Sequence, residues 1–483
     1  MRRPRRSEDF REYSKVLRYA RAERHLKPFK KHGSSKVALI FPNSYEVAGS
    51  SLAFSFVRDL LNLHPDLLVE RFFYDPSFKK FYSIESQTPL DEFRVWLFSV
   101  HFELDVFNVL EILSKRSIPI SWKERRDSDP VVIIGGSMTY FNAFSLWSVA
   151  DAIYHGDLEA HLENFSEALT LRSKEEILQG LSKIPAMSVP YLGKFGVISK
   201  VRDINSIPPV SSYVPGHGEF SGMLLIEIGR GCIRRCAFCV AGYTQKPVRF
   251  MKMETFKDVL RYVPKDVKLG LVSATVTDYP WLEDLLDALE GRKFSVSSMR
   301  IDGLNLRLLK ALKDSGQRSF TIAPEGGSQK IRDVLMKDIT EEEIDRGLKL
   351  GREAGFSRLK MYFIYGMDEE DESDLESIVE LSRSARDMGY SVKVSLNPLI
   401  PKPGTPFQGR KIQDIKTLRD KERFLKEGFR RYGIRADFES IKESVVQFEI
   451  ANMDIEGSED MMRIFKIHGK KGFIKHTLRR WSG

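Results

Sequence analysis

Three cysteines in one short stretch are the residues of this chain best suited to metal chemistry. Cys232, Cys236 and Cys239 have the spacing C-x3-C-x2-C, and they are the only cysteines among the 483 residues. Three thiols cannot all pair as disulfides, and three thiolates complete a tetrahedral zinc site only if a histidine or carboxylate joins them. They also suit a four-iron cluster in which the protein binds three irons. The fourth iron then stays open to a small molecule.

The residues around the cysteines predict where they lie in the fold. The apolar run 223–228 is typical of a buried strand, and the glycines of 229–231 break it into a loop. We predict further strands, each followed by a helix, at 267–273, 294–301, 318–323, 357–365 and 391–399. Each strand–helix unit takes about thirty residues, the size of a βα step. The cysteines should therefore lie at the carboxyl end of the first strand of an α/β unit.

Polar residues follow the later predicted strands at the same end. Ser273 and Thr275 follow the second strand, and Arg300 belongs to the end of the third. Glu325 follows the fourth strand, and Gly326 and Gly327 after it would allow backbone to approach a ligand closely. Parallel strands bring their carboxyl ends to one face, so these side chains should surround the cysteine loop.

This arrangement resembles the radical SAM superfamily over residues 220–435. Phe238 matches the aromatic residue that the superfamily usually places before its third cysteine. The resemblance implies a partial (β/α)6 TIM barrel and a 4Fe-4S cluster bound by the three cysteines. It also implies that the open iron binds S-adenosyl-L-methionine (SAM), which one electron cleaves to give a 5′-deoxyadenosyl radical. A flavodoxin or ferredoxin would supply that electron, and the substrate and catalytic residues stay unassigned.

The resemblance also suggests residues that contact SAM. Ser273 and Thr275 occupy the position where relatives hold the methionine amino group, although the match is loose. Glu325 is the best candidate for a SAM contact, with a carboxylate that only serves a helix dipole as the alternative. Arg332, one helical turn beyond Ser328, would be able to reach a carboxylate. The whole set of cofactor-binding candidates is Phe238, Ser273, Thr275, Arg300, Glu325 and Arg332.

The first third of the chain predicts a second α/β domain. Apolar strands are expected at 37–42, 67–73, 94–100, 118–121, 131–134 and 152–155. Their alternation with helices predicts a doubly wound parallel sheet of the Rossmann-like kind. Ligands of such sheets bind at the carboxyl ends of the strands, which here are the loops 43–49, 99–104 and 135–142.

This region resembles the cobalamin-binding-like domain that precedes many radical SAM cores, especially in an uncharacterised branch. The segments 98–105, 135–136 and 156–159 carry the resemblance. Cobalamin domains usually have D-x-H-x-x-G after the first strand, whereas this loop contains Asn43, Tyr45 and Gly49 and no histidine. Bound cobalamin would therefore lack its usual ligand. His101, in the third-strand loop, is either a replacement ligand or merely hydrogen-bonded.

The charge of the chain is concentrated at its beginning. The net charge is +9, and residues 1–36 alone hold 13 Lys and Arg against 4 Asp and Glu. A basic arm of this kind can bind RNA or an acidic partner. The alternative is a solvated amphipathic helix whose apolar residues include Phe10, Val16 and Tyr19. The C-terminus is basic and contains Trp481, which either touches RNA or packs on the protein.

These patterns predict five successive regions. They are a basic N-terminal arm at 1–35, the cobalamin-binding-like domain at 36–165, a proline-rich linker at 166–217, the radical SAM core at 218–435 and a small C-terminal extension at 436–483. The sequence has no apolar run long enough to cross a membrane and no secretory signal at its start. Three cysteines kept for a cluster also indicate a reducing compartment, so we expect a cytoplasmic protein.

We expect a radical SAM enzyme acting on an unidentified substrate. The alternatives are a cobalamin-dependent radical SAM methyltransferase and a non-enzymatic iron–sulfur or RNA-binding regulator. Because no fourth cysteine exists, a second cluster bound only by cysteines is excluded, which argues against sulfur-inserting enzymes.

Overall fold

The computed structural model describes residues 7–481, so the start of the predicted basic arm, residues 1–6, lies outside the described residues. The chain divides into two compact units. The first contains residues up to Ile226 and the later segment Asn452–Phe473. The second contains Glu227–Ala451 and the residues from Ile474 onward.

The first unit alternates short strands with helices. Its strands are β1 Arg24–His25, β2 Ser35–Phe41, β3 Leu67–Phe73, β4 Val95–Ser99, β5 Val131–Gly135, β6 Ala152–Tyr154, β7 Met187–Ser188, β8 Tyr213–Val214 and β9 Met223–Glu227, at whose end the chain passes into the second unit. Its helices are α1 Ser7–Ala22, α2 Tyr45–Ala48, α3 Leu52–Leu61, α4 Val106–Lys115, α5 Leu162–Thr170 and α6 Lys174–Ser182.

The central sheet of this unit has the strand order β3-β2-β4-β5-β6-β7. Its strands are parallel except for β7, which pairs antiparallel to β6. The strands β2 and β3 are buried almost throughout, which explains their mainly apolar sequences, although β3 also buries Glu70 and Arg71. Because β3 and β4 lie on opposite sides of β2, the loops after β2 and β4 flank the point where the strand order reverses.

The strand predicted at 118–121 is wrong. Ser117 has a positive φ of 58°, and the amide of Ile118 donates to the carbonyl of Leu113, closing the end of α4. Pro119 lacks an amide hydrogen and cannot join a central strand. The chain instead enters a short 3-10 helix at Trp122–Glu124.

The residues predicted as a linker contain regular structure. α6 begins with a capping box between Ser173 and Glu176. β7 then adds to the sheet edge, where Met187 pairs with Tyr154 and Ser188 with Ile153. A two-residue strand is too short to show the alternation by which strands are found in sequences.

The second unit continues the alternation. Its strands are β10 Gly229–Arg230, β11 Arg249–Phe250, β12 Lys268–Val272, β13 Phe294–Val296, β14 Phe320–Glu325, β15 Arg358–Tyr365, β16 Ser391–Pro398 and β17 Arg435–Phe438. Its helices are α7 Ala241–Thr244, α8 Met253–Tyr262, α9 Leu282–Ala288, α10 Leu306–Asp314, α11 Gln329–Val334, α12 Glu341–Glu353, α13 Glu372–Asp387, α14 Ile415–Arg431 and α15 Ile441–Ala451.

The two further larger sheets have the strand orders β13-β12-β9 and β14-β15-β16-β17. β14 to β17 are all parallel, and β12 is parallel to β13. The predicted mixed α/β fold with parallel sheets is confirmed, whereas the partial (β/α)6 barrel stays a prediction. The sequence did not predict the parallel strand β17. Its residues are only exposed or half-buried, so it lacks the apolar run by which the other strands were predicted.

The last helix of the chain, Ile455–Arg480, is interrupted at Gly469, whose φ of 63° and ψ of −172° are not helical. Beyond it, the Trp481 ring meets Phe448 edge-on at 5.5 Å, and its Nε1 donates to Glu449 at 2.5 Å. Of the two interpretations of Trp481, the structure favours the packed one. Within residues 7–481 we find no helix both long enough and apolar enough to span a bilayer.

Candidate functional site

The cysteine loop starts directly after β9 and is closed at its base by a small ribbon. β10 pairs antiparallel with β11, so Gly229 lies opposite Phe250. Gly231 follows with a φ of 84°, and a Cβ there would lie 2.6 Å from the carbonyl oxygen of Gln245. A side chain at residue 231 would thus be both strained and blocked. The ribbon and this glycine set the direction in which the loop leaves the strand.

An arginine ties the loop to the neighbouring strand end. Arg234 donates from Nε and Nη2 to the two carboxylate oxygens of Asp278, at 3.0 and 2.5 Å. Its Nη1 also lies 3.4 Å from Asp302. These carboxylates raise the pKa of the Arg234 guanidinium above its ordinary value. A two-pronged pair of this kind restricts both the position and the rotation of the loop.

The middle of the loop enters an apolar cluster. Ala237 donates its amide to the carbonyl of Leu335 at 2.8 Å. Phe238 packs at the edge of a cluster formed by Ala237, Ile331, Leu335, Ile364, Met367, Leu399 and Phe407. The cluster therefore shields one side of the cysteines from water.

The three thiols differ in exposure and in their nearest partners. Cys236 is buried, whereas Cys232 and Cys239 are half-buried. Cys232 Sγ lies 3.9 Å from Thr275 Oγ1, and Cys236 Sγ lies 3.9 Å from Nη1 of Arg300. The structure therefore brings the predicted residues Thr275 and Arg300 to the cysteine loop.

Burial and nearby charges act on these thiols in opposite directions. Burial raises the pKa of the Cys236 thiol, and the charges of Lys337 and Arg300 lower it. Burial likewise raises the pKa of the Cys239 thiol, and the amides of Ala241 and Gly242 lower it. The charges of Cys239 and Cys232 also raise the pKa of Cys236, and the charge of Cys232 raises that of Cys239, so all three thiols lie within one electrostatic environment.

This donor set fits an iron–sulfur cluster. Thiolates are the ligands of such clusters, and hydrogen bonds and nearby charges around the sulfurs tune them. Three thiols on one loop, two cations beside them and an apolar cover meet those requirements. The fit concerns a cluster and not a single ion, because among the described residues no three His, Cys, Asp or Glu side chains could together hold one metal ion.

Ser273 and Thr275 lie where the sequence predicted them, after β12. Both side chains are largely buried, at 7% and 6% exposure. The Ser273 amide and carbonyl bond to the hydroxyl of Ser297, at 3.2 and 3.0 Å, and this contact joins the ends of β12 and β13. The Ser273 hydroxyl is 3.4 Å from the Thr275 carbonyl. The two residues are held as a compact turn beside Cys232.

Arg300 connects the cysteine loop to the turn that follows α11. Its Nη2 donates to the carbonyls of Lys337 and Asp338, at 2.7 and 3.0 Å, and its Nε donates to Asp302 at 2.9 Å. The side chain is buried, with an exposure of 7%. Arg300 thus fixes the backbone of Lys337 while its own charge remains beside Cys236.

Lys337 is the site residue that sequence reasoning missed. Its Nζ lies 3.4 Å from Glu325 Oε1 and 5.9 Å from the centre of the Phe238 ring. Both members of the pair are largely buried, with side-chain exposures of 9% for Lys337 and 14% for Glu325. No spacing in the sequence indicates this contact, because it depends on the tight turn after α11.

Glu325 ends β14 in a strained backbone conformation. Its φ is 67°, in the left-handed region that non-glycine residues seldom occupy. The register between β14 and β15 shifts between Ile322 and Glu325. Burial raises the pKa of the Glu325 carboxyl, and Lys337 and then Arg300 counteract this effect. Met336 and Asp338, in the turn that carries Lys337, also have positive φ values, of 50° and 48°. Clustered strain of this kind is typical of functional sites.

Arg332 lies apart from the thiols and is occupied by backbone. It is fully buried, and its donors bond to the carbonyls of Gly327 and Ile339, at 2.7 and 2.9 Å. Its nearest carboxylate is that of Glu341, at 3.5 Å. This placement indicates a role in holding the turn after Glu325. The predicted contact between Arg332 and SAM stays a prediction.

In the first unit, His101 lies where the sequence placed it, in the loop after β4. Its Nε2 is 2.9 Å from the Ser99 hydroxyl and its Nδ1 is 3.1 Å from that of Ser137. The ring stacks on Phe41 at 5.3 Å, and desolvation lowers its pKa to about 4. Both nitrogens are engaged, so His101 does not fit the role of a cobalt ligand in this arrangement.

Asp105 is a second notable group at this strand end. It is 3% exposed, and its Oδ1 accepts from the Asn43 amide at 2.8 Å. Burial raises its pKa to about 7, with a smaller contribution in the same direction from Glu103. The hydrogen bond from Asn43 and the charge of Lys470 act in the opposite direction. Asn43 lies in the loop where cobalamin domains usually have their D-x-H-x-x-G motif. Here its side chain donates a hydrogen bond to the carboxyl group of Asp105.

Two sequence profiles of one superfamily match this chain. The profile described as "Radical SAM proteins, N-terminal" matches residues 53–190. The profile described as "Radical SAM superfamily" matches residues 226–382. Together the two matches cover more than half of the chain. The second match contains the cysteine loop and the residues placed around it above, apart from Leu399 and Phe407 of the apolar cluster.

Known proteins resemble the chain to different extents. An uncharacterized protein of Methanocaldococcus jannaschii is 28% identical over 427 residues, covering 86% of this chain and 88% of that protein. A tRNA-2-methylthio-N(6)-dimethylallyladenosine synthase of Wolbachia pipientis subsp. Culex pipiens is 31% identical over 282 residues. That match covers 50% of this chain and 60% of the synthase, so the chain spans about three-fifths of the synthase's length.

The fold resembles that of the cobalamin-dependent S-adenosylmethionine radical enzyme OxsB, solved with aqua-cobalamin and S-adenosylmethionine bound. The TM-score is 0.53 at 15% sequence identity. The match covers 90% of this chain and 61% of OxsB, so the chain spans about three-fifths of OxsB as well. At this identity, the similarity concerns the fold alone.

Proposed function

Because the chain belongs to the radical SAM superfamily, with a cobalamin-binding-like region at its N-terminus, and is an enzyme of that class, we propose that it reductively cleaves SAM at a 4Fe-4S cluster bound by Cys232, Cys236 and Cys239. When bound, the cluster and SAM would supply a 5′-deoxyadenosyl radical that removes a hydrogen atom from an unidentified substrate. A flavodoxin or ferredoxin is the proposed electron donor.

The observation that best supports this proposal is the pair of cations, Arg300 and Lys337, beside the thiols. Arg300 lies 3.9 Å from Cys236 Sγ, and Lys337 acts with it to lower the pKa of that thiol. Thiolates rather than thiols bind iron, so both cations favour the form that can act as a ligand. Two largely buried positive charges also compensate the negative charge that a thiolate-bound cluster brings into a site of low polarity.

Other residues would hold SAM and exclude water. Phe238 and the apolar cluster behind it keep solvent from one side of the loop. The hydroxyls of Ser273 and Thr275 can accept hydrogen bonds from an ammonium group, and Thr275 already lies 3.9 Å from Cys232. Glu325 is held by Lys337 at the end of β14, and we propose that it contacts SAM.

Anaerobic reconstitution with iron and sulfide tests this proposal. We expect the dithionite-reduced protein to give an EPR signal that changes when SAM is added, and to release 5′-deoxyadenosine that chromatography detects. Cys236→Ala should lose the signal and the product. Lys330→Met, which alters a lysine paired with Asp371 and Asp374 instead, should retain both. A cluster whose spectrum is insensitive to SAM in the wild type would contradict the proposal.

A cobalamin-dependent methyltransferase is the second candidate, supported by the similarity of fold to OxsB. Ligation by His101 does not fit, because Ser99 and Ser137 engage both ring nitrogens. The candidate therefore requires cobalamin without a histidine ligand. Incubation with cobalamin followed by desalting and absorbance spectroscopy tests it. Retained cobalamin together with S-adenosylhomocysteine among the products supports methyl transfer, and loss of cobalamin contradicts it.

Two further functions are not proposed. Membership of an enzyme superfamily argues against a non-enzymatic regulator. Sulfur insertion of the kind that consumes a second cluster is not supported either, because the three cysteines of this sequence are already committed to one loop.

A further inference from the structure

The N-terminal basic segment, from Ser7 onward, is an integral part of the first unit. α1 has a buried side, on which Val16 is 0% exposed and Tyr19 is 4% exposed. The Tyr19 ring stacks on the Tyr45 ring, with 4.3 Å between their centres. The Tyr19 hydroxyl donates a hydrogen bond to the Glu46 carboxylate at 2.6 Å. The amphipathic helix expected from the sequence therefore forms. Phe10, however, is 49% exposed rather than packed.

The acidic side chains of this segment that the structure describes point into the protein. The Glu12 carboxylate accepts from the amides of Lys79 and Lys80, at 2.9 and 3.1 Å, and from that of Phe81. It is 5% exposed, so its charge is compensated inside the unit.

The other described acids of the segment, Glu23 and Asp9, are also paired. Glu23 is 8% exposed, and its carboxylate pairs with Arg71 at 2.6 Å and accepts from the Tyr45 hydroxyl at 2.6 Å. Asp9 pairs with Lys80 at 2.9 Å. The acids of this segment whose side chains the structure describes therefore place little negative charge on its outer surface.

Three arginines of α1 point to solvent instead. Arg11, Arg18 and Arg21 are seven and three positions apart on α1, so they lie on one side of the helix. The surface that we name the basic stripe consists of Arg11, Arg18 and Arg21, all exposed. Among the residues the structure describes, no ion pair involves any of these three, although Arg18 also lies over the Tyr19 ring, 5.1 Å from its centre.

We propose that the basic stripe binds the phosphodiester backbone of a nucleic acid. Three exposed arginines that form no ion pair among the described residues attract a polyanion, and displacement of the polymer's counterions strengthens the binding. All three residues are arginines, whose planar guanidinium groups bind phosphate oxygens in pairs. The stripe binds phosphates without reading bases, so it recognises the polymer rather than a sequence.

A membrane surface fits the stripe less well than a nucleic acid does. An interfacial helix binds lipid by inserting its apolar side. The apolar side of α1, which carries Val16 and Tyr19, is instead buried within the first unit. This inference is independent of SAM cleavage, because every residue in it belongs to the first unit and none is a proposed ligand of the cluster or contact of SAM. A failure of one proposal therefore leaves the other standing.

Fluorescence anisotropy with the full chain tests the proposal. The probes are fluorescein-labelled RNA and DNA oligonucleotides of one sequence, about 20 nucleotides long, titrated between about 50 and 200 mM KCl. We expect the wild type to bind, with a dissociation constant that rises steeply with salt. Equal binding of both probes indicates recognition of phosphates alone, and preference for RNA indicates an RNA partner.

The variant Arg11→Gln/Arg18→Gln/Arg21→Gln should weaken binding at least tenfold. It should also reduce the slope of log K against log salt by about 2, because each lost contact with a single strand removes about 0.7. The matched control is Arg261→Gln/Lys349→Gln/Arg423→Gln, which removes three exposed charges from the second unit. This control should bind as the wild type does, and both variants should unfold at the wild-type temperature.

Three results would overturn the proposal. The first is equal weakening in the control, which would reduce the effect to net charge. The second is wild-type affinity and salt slope in the stripe variant. The third is binding of the wild type to vesicles of anionic lipid but to neither oligonucleotide.

Discussion

Lys337 illustrates how a single residue can connect the parts of a site. Its backbone carbonyl accepts from Arg300, its Nζ pairs with Glu325, and its charge reaches the thiols of Cys236 and Cys239. It approaches the Phe238 ring to 5.9 Å as well. One side chain thus links the proposed cluster ligands to the residue proposed to contact SAM.

Replacing Lys337 by methionine should make the bound cluster harder to reduce. The variant loses a positive charge beside the thiols, and such a charge favours the more negative, reduced cluster. We expect the midpoint potential to fall by on the order of 50 mV, which is about a tenfold change in equilibrium constant for one electron. An EPR-monitored redox titration measures this. Lys330→Met, the control, should leave the potential unchanged, and an unchanged potential in Lys337→Met would contradict the assignment.

Asp105 should make the stability of the protein depend on pH. Its pKa is raised from 3.8 to about 7 in the folded protein, so folding favours the protonated form. Its contribution to stability is therefore fully present below about pH 4 and is lost as the pH rises through about 7. Three groups face it: Asn43 and Lys470 favour the charged form, and Glu103 opposes it.

Asp105→Asn removes this titration. Relative to the wild type, the variant should gain free energy of unfolding as the pH rises, by on the order of 2 kcal/mol at about pH 8. Urea unfolding at about pH 5 and about pH 8 measures the difference. The exposed Asp127→Asn is the control, and we expect no such pH-dependent gain there. A gain that shrinks as the pH rises would have the wrong sign.

At the scale of elements, the cysteine loop depends on its attachments more than on its own structure. α7, within the loop, is only four residues long. The ribbon of β10 and β11 closes the base, Arg234 binds Asp278, and Ala237 bonds to Leu335. Because each attachment reaches a different element, the loop is positioned only when those elements are already packed.

Arg234→Gln should weaken cluster binding without touching a ligand. A glutamine cannot make the two-pronged bond to Asp278, so the loop becomes mobile and the thiols lose their fixed arrangement. Losses of about 10- to 100-fold in metal affinity are typical when a supporting residue is removed. Retention of iron after treatment with a chelator measures the effect.

Arg261→Gln serves as the control for Arg234→Gln. It removes an exposed arginine that pairs with Asp258 on the surface. Iron retention equal to that of the wild type in Arg234→Gln, or an equal loss in both variants, would contradict the role of the pair with Asp278.

At the scale of the whole molecule, the first unit is completed by a segment from the far end of the chain. The segment Asn452–Phe473 belongs to that unit. The Ser458 hydroxyl donates to the carbonyl of Ser145 at 3.0 Å and accepts the amide of Ser148 at 3.3 Å. The Asn142 amide donates to the Met453 carbonyl at 2.9 Å. The first unit is therefore not complete until nearly the whole chain has been made.

Ser458→Ala should loosen the first unit alone. It leaves a buried carbonyl and a buried amide without their partner, which costs about 1–3 kcal/mol. Hydrogen exchange followed by mass spectrometry should show faster exchange in residues 142–148 and 452–473, with β15 and β16 unchanged. Ser377→Ala, which removes an exposed hydroxyl, is the control. Faster exchange confined to β15 and β16 would contradict the assignment of this segment.

The sequence by itself determined the chemistry that depends on local spacing. The cysteine loop, the strands around it and the positions of Thr275, Arg300 and Glu325 follow from motifs and apolar runs, because a strand and the loop after it are adjacent in the chain. The parallel sheet of the first unit follows from buried apolar strands for the same reason. The predicted strand at 118–121 failed because Pro119 and the end of α4 outweighed a short apolar run.

Only the tertiary structure decided which distant groups meet. Lys337 reaches Glu325 through a turn with positive φ values, and Arg332 is occupied by carbonyls rather than by a ligand. The inward turn of Glu12 and Glu23, which leaves the basic stripe exposed, also depends on contacts with residues that are remote in the sequence. Such contacts are set by packing and by the pairing of buried charges, and neither leaves a periodic signal in a single sequence.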